Sequence, residues 1–256
     1  MKEPVVIIGI GQMGGVFARG FLSTGHPVYP VVREMSIEGA AKEVIDPPLV
    51  LVAVAESDLE TVLAQIPERW KDRVGLLQNE LLPQVWQRHA IENPTVIAVW
   101  FEKKFRRPIT PLVTSPIYGP RAELVAEALS ALEIPVKTLD RFDELVQALV
   151  MKNLYILTAN IAGLEGADTV GRLLEDDREL TEEVFDDVLK LQQSLTGRIF
   201  DQDEMWQEMV DIFRSDPDHG SRGRSALQRL ERALRQAEAA GLELERLRTI
   251  SQGAEV

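Results

Sequence analysis

The chain has 256 residues, 45% of them hydrophobic, enough for one large or two small packed domains and too many for a disordered or fibrous protein. Acidic residues exceed Lys and Arg by 41 − 28 = 13, the reverse of what a nucleic-acid binder needs. Cysteine is absent, which removes a thiolate nucleophile, a Cys-ligated zinc and disulfides, and His26, His89 and His219 lack the spacing of a metal site or a Ser/His triad.

The first apolar run, Val5–Ile8, is too short for a signal-peptide core or a membrane span, and the chain reads as soluble and cytoplasmic. Further short apolar runs without alternation follow at Leu49–Ala55, Val74–Gln78 and Thr95–Trp100. Such runs suit parallel strands covered on both faces. Helix-like stretches lie between them at Met13–Ser23, Leu59–Ile66 and Pro83–Ala90. After the run Pro111–Ser115 come a helix, Arg121–Leu132, and a strand, Val136–Leu139. The alternation predicts an α/β fold with a doubly wound parallel sheet. Pro30 interrupts the strand Val28–Val32 and makes it short, bulged or near an edge.

Gly9-Ile-Gly11-Gln12-Met13-Gly14 follows the first strand and opens a helix. In a dinucleotide-binding loop Gly9 allows the tight turn, Gly11 lets the backbone approach a pyrophosphate, and Gly14 lets helix pack on strand. A tight turn that binds nothing is the bland alternative. The second strand ends in Arg33, whose guanidinium suits a 2′-phosphate and so favours NADP(H). Glu34, directly behind, is the alternative: an acid for a ribose hydroxyl.

Strand signals stop near residue 140. Residues 1–140 carry 14 basic and 17 acidic side chains and residues 141–256 carry 14 and 24, so the second half is expected to be an acidic, all-helical domain. Its helices are expected from Phe142 onward and at Thr181–Leu195, Asp203–Phe213 and Arg224–Ala240. Lys152 lies in the apolar stretch Ala148–Ala162, where a lysine must snorkel or meet a partner. Asn153 and Asn160 are two turns apart on one face, with Lys152 about 100° around from Asn153. A cation beside carboxamides suits protonation of a carbonyl oxygen. A rim lysine with two capping asparagines fits the same pattern.

With these motifs the chain resembles the ketopantoate reductase family over its whole length. The resemblance rests on Gly9–Gly14 with Arg33, on Leu76-Leu77-Gln78-Asn79, on Arg121–Leu132 with Ile134-Pro135, on Lys152 with Asn160, and on Ala239-Ala240-Gly241-Leu242. It implies a Rossmann domain (1–140), a helical domain (141–256) like that of 6-phosphogluconate dehydrogenase, and NADPH-dependent reduction of a 2-keto acid. By that resemblance Lys152 is the general acid, Asn160 holds substrate and Asn79 touches cofactor and substrate. Four positions depart from the pattern: Ile156 for an asparagine, Ser225 for a substrate-binding glutamate, Glu80 for a glycine and Ala55 for a lysine.

The expected function is NADPH-dependent reduction of a small 2-keto acid, with Gly9, Gly11, Gln12, Met13, Gly14, Arg33 and Asn79 on the cofactor. Asn153, Ser225 and Arg222 are expected at the substrate. A 3-hydroxyacid dehydrogenase shares the two-domain plan, but Ile156 counts against it. The competing reading is a non-catalytic dinucleotide-binding protein that has lost its site residues. The expected partner is a small keto acid, with no nucleic acid, no membrane and no metal; a homodimer is compatible with this plan.

Overall fold

The computed structural model describes residues 2–254. The chain forms two compact units, Met1–Leu149 and Val150–Val256, and the division falls inside a long helix.

In the first unit β1 (Val5–Ile8), β2 (Val28–Val31), β3 (Val50–Val52), β4 (Val74–Leu76) and β5 (Thr95–Ile97) are parallel, and β8 (Ser115–Tyr118) and β9 (Val136–Thr138) complete a seven-stranded sheet in the order β2-β1-β3-β4-β5-β8-β9. One expectation is corrected here. The sheet is mixed, because β8 pairs antiparallel with β5 and parallel with β9. The reason is local. Between β5 and β8 the chain makes a separate antiparallel hairpin, β6 (Phe101–Lys103) and β7 (Ile109–Pro111), instead of a crossover helix. The run read as Pro111–Ser115 joins β7 to β8.

β2 is an edge strand, with Pro30 opposite Ile7. An edge tolerates the missing donor. β1 is central and wholly buried, and its side chains alternate between two layers. Val5 and Ile7, with Leu49, Leu51, Ile97 and Ile117, pack on Phe17 and Phe21 of α1 (Gln12–Ser23) and on Val125 and Leu129 of α5 (Ala122–Ser130). Gly20 permits the approach of these two helices, since a β-carbon there would lie 2.4 Å from the Ala128 carbonyl oxygen. Val6, Val50 and Val52 face the other way. The buried Trp70 of the 3₁₀ turn Glu68–Arg73 donates its indole N–H to Val44 O at 3.2 Å, past the end of α2 (Ile37–Glu43). α3 (Glu56–Leu63) and α4 (Pro83–Gln87) complete this unit.

α6 (Phe142–Ala162) leads into the second unit, which holds α7 (Val170–Glu175), α8 (Arg178–Thr196), α9 (Gln202–Ser215), α10 (Ala226–Ala239) and α11 (Glu245–Ala254). Among the described residues α6 is the one helix long and apolar enough to cross a membrane, and 78% of its apolar window is buried inside the protein. Side-chain caps set several helix starts. Asp201 accepts from Glu204 N–H at 2.9 Å at α9, and Asp187 of α8 accepts from Arg246 and Leu247 N–H at 2.9 and 3.1 Å, fastening the first turn of α11.

Candidate functional site

The glycine loop lies where β1 gives way to α1. The chain passes from β1 to β2 on one side and places β3 on the other, and a crevice opens at the carboxyl ends of strands wherever the winding reverses. Gly9 has φ +95°, and a β-carbon there would meet Ala53 O at 2.8 Å. Gly14 lies even closer to its surroundings. Its β-carbon would fall 2.0 Å from Gly9 O, so helix and turn are in direct backbone contact. Both glycines are thus demanded by the protein's own packing.

Gly11 is different. Its φ of −77° is open to any residue, and a β-carbon there would find no atom within 4 Å. Its missing side chain leaves the backbone exposed to the outside and serves no contact within the protein. Gly11 is also the N-cap of α1, with no side-chain cap and no acid in the first turn. The first intrahelical bond is Gly15 N–H to Gly11 O, so the N–H groups of Gln12, Met13 and Gly14 precede the helical ladder. Such an end carries about half a positive charge and suits an anion. The loop fits a pyrophosphate by what it leaves open.

Arg33 lies two residues beyond β2, 87% exposed, with Nη2 3.4 Å from Asp58 Oδ2 in the first turn of α3. Glu34 beside it is exposed. At the end of β4, Asn79 donates its amide to Glu56 Oε1 at 2.9 Å. Gln78, to which the Leu76–Asn79 motif assigns no role, is a clamp. It donates to Val52 O at 2.8 Å and Val54 O at 3.3 Å and accepts from Leu77 N–H, tying the carboxyl end of β4 to that of β3. A glutamine closing an apolar strand was the signal for it. Glu80 has φ +58°, the left-handed region that favours glycine.

In the helical unit the two asparagines of α6 are 2% and 6% exposed. Asn153 donates to Gln192 Oε1 on α8 at 2.9 Å. Asn160 donates to Ser221 O at 3.0 Å and accepts from Arg229 Nη1 on α10 at 2.6 Å. Gln192 and Arg229 were missed because both sit at apolar positions of amphipathic helices; Arg229 falls between Ala226 and Leu230 on the buried face of α10. The segment 216–223 packs onto α6 as well, since β-carbons on Gly163 and Gly223 would lie 2.6 Å from Ser221 Oγ and 2.7 Å from Asn160 Oδ1. Arg222 is exposed on that segment, and Ser225 is the half-buried N-cap of α10 with no side-chain cap bond. Lys152 is half-buried, its Nζ 5.7 Å from the centre of the Tyr155 ring.

No family model and no curated protein matches the chain by sequence. Solved structures do match. A PanE/ApbA family ketopantoate reductase from Ralstonia eutropha superposes with a TM-score of 0.69 at 16% identity, over 100% of this chain and 97% of that one. The 2-dehydropantoate 2-reductase from Methylococcus capsulatus gives 0.72 at 13% identity, over 98% and 96% of the two chains. The chain has the ketopantoate reductase fold. D-mandelate dehydrogenase in complex with NADH shares it, with a TM-score of 0.69 at 13% identity over 100% and 98%. At such identities the likeness concerns the path of the chain, and the chemistry has to be argued from the residues described above.

Proposed function

We propose that this protein is an NADPH-dependent oxidoreductase that reduces a small 2-keto acid to the 2-hydroxy acid in the cytoplasm. The observation that carries the reading is Gly11, a glycine that neither backbone conformation nor packing requires, at an uncapped helix N-terminus. The N–H groups of Gln12, Met13 and Gly14 would hold the pyrophosphate, Gly9 and Gly14 shape the turn, Arg33 would meet the 2′-phosphate, and Asn79 would meet the nicotinamide end. When bound, NADPH supplies a hydride to the carbonyl carbon. Lys152 donates the proton to the carbonyl oxygen and is reprotonated from water. Asn160, fixed by Ser221 and Arg229, keeps one amide N–H and one lone pair for the substrate, and the exposed Arg222 would take its carboxylate. Support comes from the solved structures of this fold, which include 2-dehydropantoate 2-reductases and a mandelate dehydrogenase.

The test is oxidation of NADPH against a panel of 2-keto acids that includes ketopantoate. Lys152→Ala is expected to lower turnover by about 10²–10⁴ with NADPH binding nearly unchanged. Arg33→Ala is expected to cost NADPH about 1–3 kcal/mol of binding and NADH nothing. Equal losses for the two cofactors would sink the role of Arg33. A second reading, a nucleotide-binding protein without catalysis, is favoured by one observation: both asparagines of the lysine helix are hydrogen-bonded within the helical unit. NADPH bound firmly by a protein that turns over no keto acid would select it.

A further inference from the structure

Lys152 and Tyr155 stand three residues apart on α6 and share a face. Helical side chains lean toward the N-terminus, so a ring at i+3 covers the residue one turn before it. The Lys152 Nζ, 5.7 Å from the ring centre of Tyr155, lies within the range of cation–π attraction.

The ring is itself fixed. Tyr155 is 4% exposed and meets Phe213 edge to face, with centroids 5.3 Å apart and planes at 77°. The His219 ring lies 6.3 Å away. His219 belongs to a segment whose backbone is tied down, because Val170 N–H donates to His219 O and Gly171 N–H to Pro217 O, both at 2.9 Å. Its Nδ1 lies 3.5 Å from Asp216 Oδ2. Ser221 of the same segment accepts from Asn160, two turns along α6 from Lys152. One segment therefore braces both Tyr155 and Asn160.

We propose that Tyr155 is the positioning residue of Lys152: the face of its buried ring holds the ammonium where the proton is to be delivered. The inference rests on the reading of Lys152 as general acid. A lysine stem has four rotatable bonds, and a proton donor works only after that freedom is lost. The asparagine that the resembled pattern places at i+4 from the lysine is Ile156 here, so the next turn of α6 offers no carboxamide at that position. The ring at i+3 orders the ammonium by attraction to its π face, with no requirement for the phenol hydroxyl.

The test uses the full chain with ¹³C-labelled lysine, the Lys152 ε-methylene signal being assigned by its loss in Lys152→Arg. The aromatic ring should shift that signal away from those of exposed lysines in the wild type and in Tyr155→Phe, and the shift should vanish in Tyr155→Leu. With a keto acid that the protein reduces, Tyr155→Leu should lower kcat roughly 2- to 30-fold, the value of a cation–π contact, without changing KM for NADPH, and Tyr155→Phe should restore it. A wild-type signal at the exposed-lysine position overturns the proposal, whatever becomes of the variants. So does a Tyr155→Phe protein that behaves like Tyr155→Leu, because the hydroxyl would then be the holding group. A shifted wild-type signal in a protein that reduces no keto acid upholds the ring contact and removes the general-acid reading, which separates the two failures.

Discussion

At the turn from β1 into α1 the polar groups of the candidate site belong to the backbone and face outward, whereas on α6 the two asparagines are side chains already hydrogen-bonded inward. Gly9 and Gly14 are explained by neighbours that a β-carbon would meet at 2.8 and 2.0 Å, and Gly11 by nothing inside the protein. Asn153 and Asn160 both have partners on other helices. The lesson concerns what a polar motif can show. A group that packing does not account for points to a ligand, and a group that packing does account for points first to the fold.

That contrast can be broken most sharply at the glycines. Gly14→Ala should destabilise the first unit by about 1–3 kcal/mol or prevent its folding, because its β-carbon would land on the Gly9 carbonyl. Gly11→Ala should leave stability within about 0.5 kcal/mol, yet weaken NADPH binding about tenfold or more. Thermal melts with and without NADPH separate the two variants. If Gly11→Ala binds NADPH normally, the loop is a turn and no more.

In the helical unit, Asn160→Leu withdraws an acceptor from the buried Arg229 and a donor from Ser221 O. A loss of about 2–3 kcal/mol in urea unfolding is expected, with NADPH affinity untouched. A stable Asn160→Leu protein that has lost only turnover would instead assign Asn160 to substrate alone.

Two smaller effects sharpen the picture. Glu80→Gly relieves a left-handed residue and should stabilise by about 0.5–1 kcal/mol. A stabilised variant with impaired turnover would show that Glu80 is kept for chemistry. The smallest effect lies on α8. Burial first, and then Glu182 and Asp187, raise the Asp186 carboxyl above the ordinary carboxylate value. The folded state therefore takes up this proton before the unfolded state does, and stability rises as pH falls through the window just above that ordinary value. Asp186→Asn should raise the melting temperature slightly at pH 7, solvent screening holding the gain to a few tenths of a kcal/mol, and the gain should disappear near pH 3. A gain that persists at pH 3 would place its origin elsewhere than in charge.

The order of the strands β1 to β5 was legible because each rests on a local pattern. Val5–Ile8 is apolar without alternation, and Pro30 left three options for β2, short, bulged or near an edge, of which the sheet takes the edge. The reversed β8 was not legible, since pairing direction depends on how the chain returns after β5, and the hairpin that returns it is short and half-exposed. α2, α7 and α11, seven, six and ten residues long, were not read; α4 is as short, but it opens with Pro83 at a first-turn position that favours proline.

By itself the sequence determined the parallel core strands, the glycine turn between β1 and α1, and the switch to an acidic helical half. These follow from composition and short-range stereochemistry, which need no knowledge of distant neighbours. Only the tertiary structure decided which polar residues are already engaged. Gln78 bonds across to β3, Asn160 meets Arg229 sixty-nine residues away, and Lys152 lies over a ring that Phe213 and His219 hold in place. Hydrogen-bond partners and ring contacts are set by where helices pack, and no spacing along a single helix carries that information.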